Sequence, residues 1–219
     1  WDDSKGVEFI SHDFAGFGAR NGEEAYIDPF GFAVEETIRS LRQREGITIV
    51  AHSMGGIVAL PTAKWLAENY PEKLKNVVLI EGNLVAEDCG GIAHGFRDAE
   101  GDDELRRKKL ELITLAHNSK YESGKNWQSA ITKTRLDTLQ RYAGPLIARS
   151  ESGELLKTFQ DLTQNGVRMV YVHGDNKVGH AVQWELEGYD QRYVEGTGHF
   201  VHEDDPQAVA DVIIGLDKG

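Results

Sequence analysis

Ser53 stands where a serine could act as a nucleophile. It lies in the run ITIVAHSMGGIVAL (47–60), between a β-branched segment and a pair of glycines. The pattern reads as strand, sharp turn and helix, with Ala51 and Gly55 two residues to either side of the serine and Gly56 following. A nucleophile on so tight a bend has a strained backbone and needs small neighbours, so that strand and helix can approach without clashing. The bend pushes the hydroxyl out of the sheet. It also places Ser53 at a helix N-terminus, where unpaired N–H groups favour developing negative charge. The N–H of Met54 then points to where an oxyanion would form. The competing reading is a serine that merely caps a helix. A serine hydroxyl needs a base at neutral pH, and the chain has eight histidines. His52, beside the serine, faces away on the strand and is expected to pack or orient, and His173 is expected to lie buried in its own strand.

The elements that must position these groups follow from hydrophobic periodicity. ITIVA (47–51), LKNVVLIEG (74–82), GVRMVYVHG (166–174) and YDQRYVEG (189–196) read as strands, and GVEFISHD (6–13) as a further short buried strand. Helices are predicted over 30–46, 54–70, 152–166 and 205–216, with Pro61 inside the second without ending it. Val77 to Ile80 form an unbroken apolar run, as a parallel strand covered on both faces requires. Strands alternating with helices imply an α/β fold with a mostly parallel sheet between two helical layers. In such sheets chemistry collects at the carboxyl ends of the strands. Residues 85–150 differ, being charged, helical in propensity and free of strand signals. They are predicted to form a helical cap, leaving 1–84 and 151–219 as the core. Within the cap, Arg106, Arg107, Lys108 and Lys109 follow Asp102, Asp103 and Glu104, the pattern of a solvated helix face rather than an anion site.

The chain has 219 residues, which suits one domain. Its net charge of -12 disfavours nucleic acid and anionic membrane surfaces, which need basic patches. No apolar run approaches a membrane span. One cysteine, Cys89, forms no internal disulfide, which favours a reducing, cytoplasmic setting. No metal or nucleotide motif is present and no cofactor is expected. His199 and His202 make a poor metal pair, for no third ligand set supports them.

The run Ala51-x-Ser53-x-Gly55 in its strand–turn–helix setting resembles the nucleophile elbow of the α/β-hydrolase family, whose usual form is G-x-S-x-G. HDFAGFGAR (12–20) is similar to that family's D-x-x-G-x-G loop through Asp13, Gly16 and Gly18, with Arg20 where serine is usual. The loop VEGTGHFVHEDDP (194–206) looks like its histidine loop, with acidic residues and Pro206 before the last helix. The resemblance covers residues 6–216 except the insertion, which falls where the family carries its cap. It implies an α/β-hydrolase three-layer sandwich with a cap inserted after the strand ending near residue 81. It further implies His199 as general base and then general acid, oriented by a carboxylate. Two candidates fit the order: Glu81, which is favoured, and Asp175. The family's more common Gly-x-x-Asp position holds Lys177 here.

The implied activity is hydrolysis of an ester or related acyl bond by a Ser-His-acid triad. A serine nucleophile sets the chain apart from family members that attack with aspartate. A non-catalytic small-molecule binder, or an inactive fragment of the fold, is the alternative reading. The family also has three strands before the D-x-x-G loop, the third bearing half of the oxyanion hole. The chain as given starts after them, so weak catalysis is expected. The substrate is expected to be a small molecule with an apolar group, lined by His52 and, from the cap, by Phe96, Trp127, Leu139 and Tyr142. Each of these could equally be core.

Overall fold

The computed structural model describes residues 7–175 and 180–216. Its sheet has four parallel strands in the order β1 (Ile47–His52), β2 (Leu74–Ile80), β3 (Arg168–His173) and β4 (Gln191–Tyr193). Successive side chains of a strand point to opposite faces, and the two faces bury different partners. Val77 and Leu79 of β2, with Met169 and Tyr171 of β3, face helices α1 (Pro29–Leu41), α2 (Gly56–Asn69) and α7 (Glu154–Gln164). Val78, Ile80, Val170 and Val172 face Val201, Val209 and Leu216 of the two closing helices, Val201–Asp204 and Pro206–Leu216. This double burial explains why β2 and β3 read as continuous apolar runs.

Helix α2 is the best buried of the helices. Ile57, Leu60 and Leu66 are completely enclosed, each contributing about 1.5–3 kcal/mol over an exposed position. That packing carries the helix through Pro61, which lacks the N–H of a regular turn.

The segment expected as a strand over 6–13 is not one. Residues 7–14 are irregular and largely exposed, with Phe9 at 62% and Val7 at 52%. Among the described residues the sheet ends at β1. A strand without a ladder leaves its backbone groups to water, so apolar pattern alone does not make one. The segment instead docks by side chains on and beyond α1, through Glu8–Arg44 and a 3.1 Å contact between His12 Nε2 and Thr37 Oγ1. Beyond it, the glycine-rich loop closes on itself. Asp13 Oδ2 accepts from Ala19 N–H at 2.7 Å, and a β-carbon at Gly18, where φ is +51°, would meet that carboxylate at 2.3 Å.

Four helices follow β2 before the chain reaches α7 and β3: α3 (Gly90–Arg97), α4 (Asp102–His117), α5 (Ser123–Lys133) and α6 (Leu136–Glu151). They enclose a cluster of their own around Phe96, Leu105, Leu112, Ile131 and Ala143. The basic run on α4 is paired along its own helix, Arg106 with Asp103 and Arg107 with Glu104 and Glu111. Lys109 Nζ instead donates to the carbonyls of Thr132 and Thr134 at the end of α5. Helix α6 joins the two bodies. Tyr142 reaches into the main core, donates to Ala15 O at 3.0 Å, and has its hydroxyl pushed up to about 12 by burial. The next residue, Ala143, faces the cap cluster.

Candidate active site

Parallel pairing of Ala51 with Leu79 and His52 with Ile80 brings the residues that follow, Ser53 and Glu81, to adjacent strand ends. Both have left-handed backbones, φ 51° at Ser53 and 47° at Glu81, and among the described residues no other non-glycine residue does. Such conformations cost of order 1–3 kcal/mol each and persist only where the surroundings over-determine them. Here the surroundings are backbone bonds. Asn83 N–H donates to Ser53 O at 3.2 Å, and Glu81 N–H donates to Val172 O at 2.8 Å.

Ser53, Met54 and Gly55 form a single 3-10 turn that runs straight into α2. Small neighbours are less demanded here than the sequence suggests. A β-carbon at Gly55 would lie 3.6 Å from Ala51 Cβ, and one at Gly56 3.4 Å from Asn83 N, both ordinary contacts. Alanine is therefore accommodated at these glycines, as it already is at position 51. Met54 packs its side chain against the main core.

The Glu81 carboxylate is enclosed, its side chain 3% exposed. Each oxygen has its own partner. Oε1 accepts from Gly174 N–H at 2.9 Å, and Oε2 lies 3.5 Å from His199 Nδ1. A carboxylate behind one imidazole nitrogen fixes the tautomer and stabilises the imidazolium, which is what general base catalysis needs from an acid.

Asp175, the other candidate, is turned elsewhere. Its Oδ1 accepts from Tyr193 OH at 2.6 Å and its Oδ2 from Tyr121 OH at 3.3 Å, with Lys120 Nζ at 3.9 Å. The Tyr193 hydrogen bond leads in holding its carboxyl below the usual aspartate range. Lys177 lies outside the described residues.

The His199 loop is pinned from several sides. Asp175 N–H donates to Thr197 O at 2.8 Å, Thr197 Oγ1 to Val194 O at 2.8 Å, and Gly198 N–H to Asp204 Oδ2 at 2.8 Å. The loop passes so close to the end of β3 that a β-carbon at Gly174 would meet Thr197 Oγ1 at 2.4 Å and Gly198 O at 2.8 Å. A lone glycine at a strand end is the sequence signal for such an approach.

His52 stands behind the loop, its Nε2 2.9 Å from His199 O and its ring 4.7 Å from the His199 ring and 4.6 Å from that of His202. Burial first, and then the two neighbouring imidazoles, push its pKa down to about 2. A neutral His52 facing a carbonyl carries its proton on Nε2. His202 is also lowered, chiefly by burial, and its buried Nδ1 finds no hydrogen-bond partner. His173 is buried at the end of β3, with Gln183 Nε2 at 3.1 Å from its Nδ1.

The cap residues expected to line a pocket divide by position. Phe96 and Leu139 belong to the cap's own cluster, and Tyr142 to the main core. Trp127 packs on the cap cluster and also comes near the site, its ring 5.5 Å from that of Phe200, next to His199. Tyr121, which the sequence did not single out, lies against Gly198, where a β-carbon would strike its ring at 2.5 Å.

The architecture is thus a parallel α/β sheet with a four-helix insertion after β2, carrying serine, carboxylate and imidazole beyond the carboxyl ends of its strands. A family model described as the alpha/beta hydrolase family matches residues 2–212, and the chain belongs to that family. Several solved structures share the fold. One is a ring-cleaving protein for the Pseudomonas quinolone signal, AqDC, in complex with its product: 19% identical, TM-score 0.67, 94% of this chain and 80% of that one covered. A hydrolase from Pseudomonas aeruginosa is 17% identical, with a TM-score of 0.62 and coverage of 94% and 78%. A carboxylesterase from the thaumarchaeon Nitrososphaera gargenis is 16% identical, with a TM-score of 0.61 and coverage of 86% and 71%. No curated protein sequence matches.

Proposed function

We propose that the chain is a serine hydrolase for an ester or related acyl bond, working through an acyl-enzyme. Ser53 Oγ attacks the acyl carbonyl while His199 takes its proton. Glu81 holds the ring at Nδ1, so Nε2 is the nitrogen that exchanges protons. The tetrahedral oxyanion is met by the Met54 N–H. His199 then returns the proton to the leaving alcohol, and water repeats the sequence to release the acid. The reaction needs no group beyond the protein and water. Trp127 and Phe200, beside His199, favour a substrate with an apolar acyl or alcohol group.

The observation that carries this reading is the enclosed Glu81 carboxylate 3.5 Å from His199 Nδ1, next to a serine on a left-handed turn. A fluorophosphonate probe tests it, with hydrolysis of a short p-nitrophenyl ester in parallel. Covalent labelling and turnover, both abolished in Ser53→Ala, are expected. A protein that stays unlabelled, or labels equally well without Ser53, is not a serine hydrolase.

A further inference from the structure

One stretch of the cap meets the histidine loop at Tyr121, Ser123, Asn126 and Trp127. Asp204 lies at the centre of that meeting. Its Oδ2 accepts from Gly198 N–H at 2.8 Å, one residue before His199, and its Oδ1 accepts from Ser123 N–H at 3.3 Å, the first residue of α5. Next to it, Asn126 Nδ2 donates to Glu203 Oε2 at 2.7 Å. The Tyr121 ring covers Gly198, where even a methyl group would collide with it, and the Trp127 ring packs 5.5 Å from Phe200. His199 is therefore bracketed in sequence by contacts to the cap at 198, 200, 203 and 204, while His52 holds its own carbonyl from the core side.

We propose that Asp204 is a positioning residue that ties the cap to the catalytic base: one carboxylate fixes the His199 loop and the start of α5 together, so His199 is correctly placed only while this part of the cap is docked. The proposal rests on the reading of His199 as the base. The chemical logic is economical. A carboxylate with two oxygens can accept from two N–H donors at once, and a helix N-terminus favours an anion. Neither donor can move without losing its partner. A cap that lifts here to admit substrate would loosen Gly198 and with it the imidazole, leaving the open enzyme without an aligned base. Docking would then restore geometry and shield the site in one step.

The test uses the full chain with Asp204→Ala and Asp204→Asn. Alanine removes both acceptors, while asparagine keeps one acceptor oxygen of the two. For ester hydrolysis, Asp204→Ala is expected to lower kcat about 10–100-fold, the scale of a small misplacement of a catalytic group, with KM changed less than about threefold. Asp204→Asn is expected to fall between it and the parent. Asn126→Ala alone is expected to lower kcat slightly, and to cost nothing more when added to Asp204→Ala, because the cap is already released.

Hydrogen exchange gives a readout independent of activity. Deuterium uptake in peptides covering 121–127 is expected to rise in Asp204→Ala together with that of 196–204. An unchanged kcat in Asp204→Ala overturns the proposal. So does a lowered kcat with cap exchange unaltered, which would confine Asp204 to its own loop. If the parent protein itself shows no Ser53-dependent turnover, the hydrolase reading fails instead, and the exchange pattern still decides whether Asp204 ties the two segments. Should the alanine variant misfold, Asp204→Asn carries the same comparison.

Discussion

Two neighbouring strands, β2 and β3, each lead into an acid at the same end of the sheet, and the two acids live in different worlds. Glu81 follows β2 directly, is enclosed, and divides its oxygens between a backbone N–H and an imidazole. Asp175 follows β3 by two residues, is partly exposed, and serves two tyrosine hydroxyls and a lysine. Their chemistry is the same. What separates them is a backbone turn: the left-handed φ at Glu81 swings its side chain under the His199 loop, and Gly174 lets that loop come close enough to receive it. Which carboxylate lies beside the His199 imidazole is decided by the shape of the chain at each strand end.

The sharpest way to break this contrast is to exchange carboxylate for amide at each place. Glu81→Gln keeps the shape and an acceptor for Gly174 N–H but removes the charge behind His199. By analogy with the loss of an orienting acid in a measured triad, kcat is expected to fall about 10³–10⁴-fold, with ester hydrolysis at pH 7.5 as the assay. Asp175→Asn is expected to change kcat less than about tenfold, since it touches His199 only through the Thr197 backbone. Equal losses at the two positions, or the larger loss at Asp175, would reverse the assignment of roles.

A smaller effect separates the two acids by what they hold together. Asp175 joins Tyr193 of the core to Tyr121 and Lys120 of the cap, all near water. Asp175→Ala is therefore expected to lower Tm by a few degrees, an effect weakened in high salt because exposed charges are screened. A Tm shift insensitive to salt would show that the tyrosine hydrogen bonds, and not the Lys120 charge, dominate there.

Much of this arrangement was legible in the sequence, and the remainder was not for physical reasons. The parallel sheet, the helical run after β2 and the pairing of the α4 charges follow from periodicity and spacing, which packing obeys directly. The strand expected over 6–13 failed because a strand depends on a partner, and no pattern within Val7–Asp13 states whether one is present. Glu81 and Asp175 could only be ranked, because the choice rests on φ at one residue and on the space left by one glycine. Phe96, Trp127, Leu139 and Tyr142 look alike as apolar cap residues. The turn of α3, α5 and α6 distributes them between the insertion's own cluster, the main core and the neighbourhood of His199.

The faintest expected difference lies in pH dependence, and it too follows the buried and exposed sides. At the end of β1 and in the turn after β2, two half-buried groups are displaced in opposite senses. His52 is lowered to about 2, mainly by burial, and Asp88, which accepts from Leu84 and Val85 N–H, is raised to about 6 by burial. Below pH 6.5 the unfolded chain protonates His52 while the folded chain does not, so His52 costs stability as pH falls, about 2 kcal/mol by pH 5. Asp88 acts the other way. Between its unfolded value of 3.8 and about 6 the folded chain holds the extra proton, so lowering pH from 6 to 5 restores about 1 kcal/mol. The two oppose each other and His52 is the larger, with half-buried His202 adding in its sense. Thermal melts at pH 7 and pH 5 expose the balance. His52→Asn should make the protein relatively more stable at pH 5 than the parent, and Asp88→Asn relatively less. Parallel shifts in both variants would mean that these two groups do not titrate in opposite senses on folding.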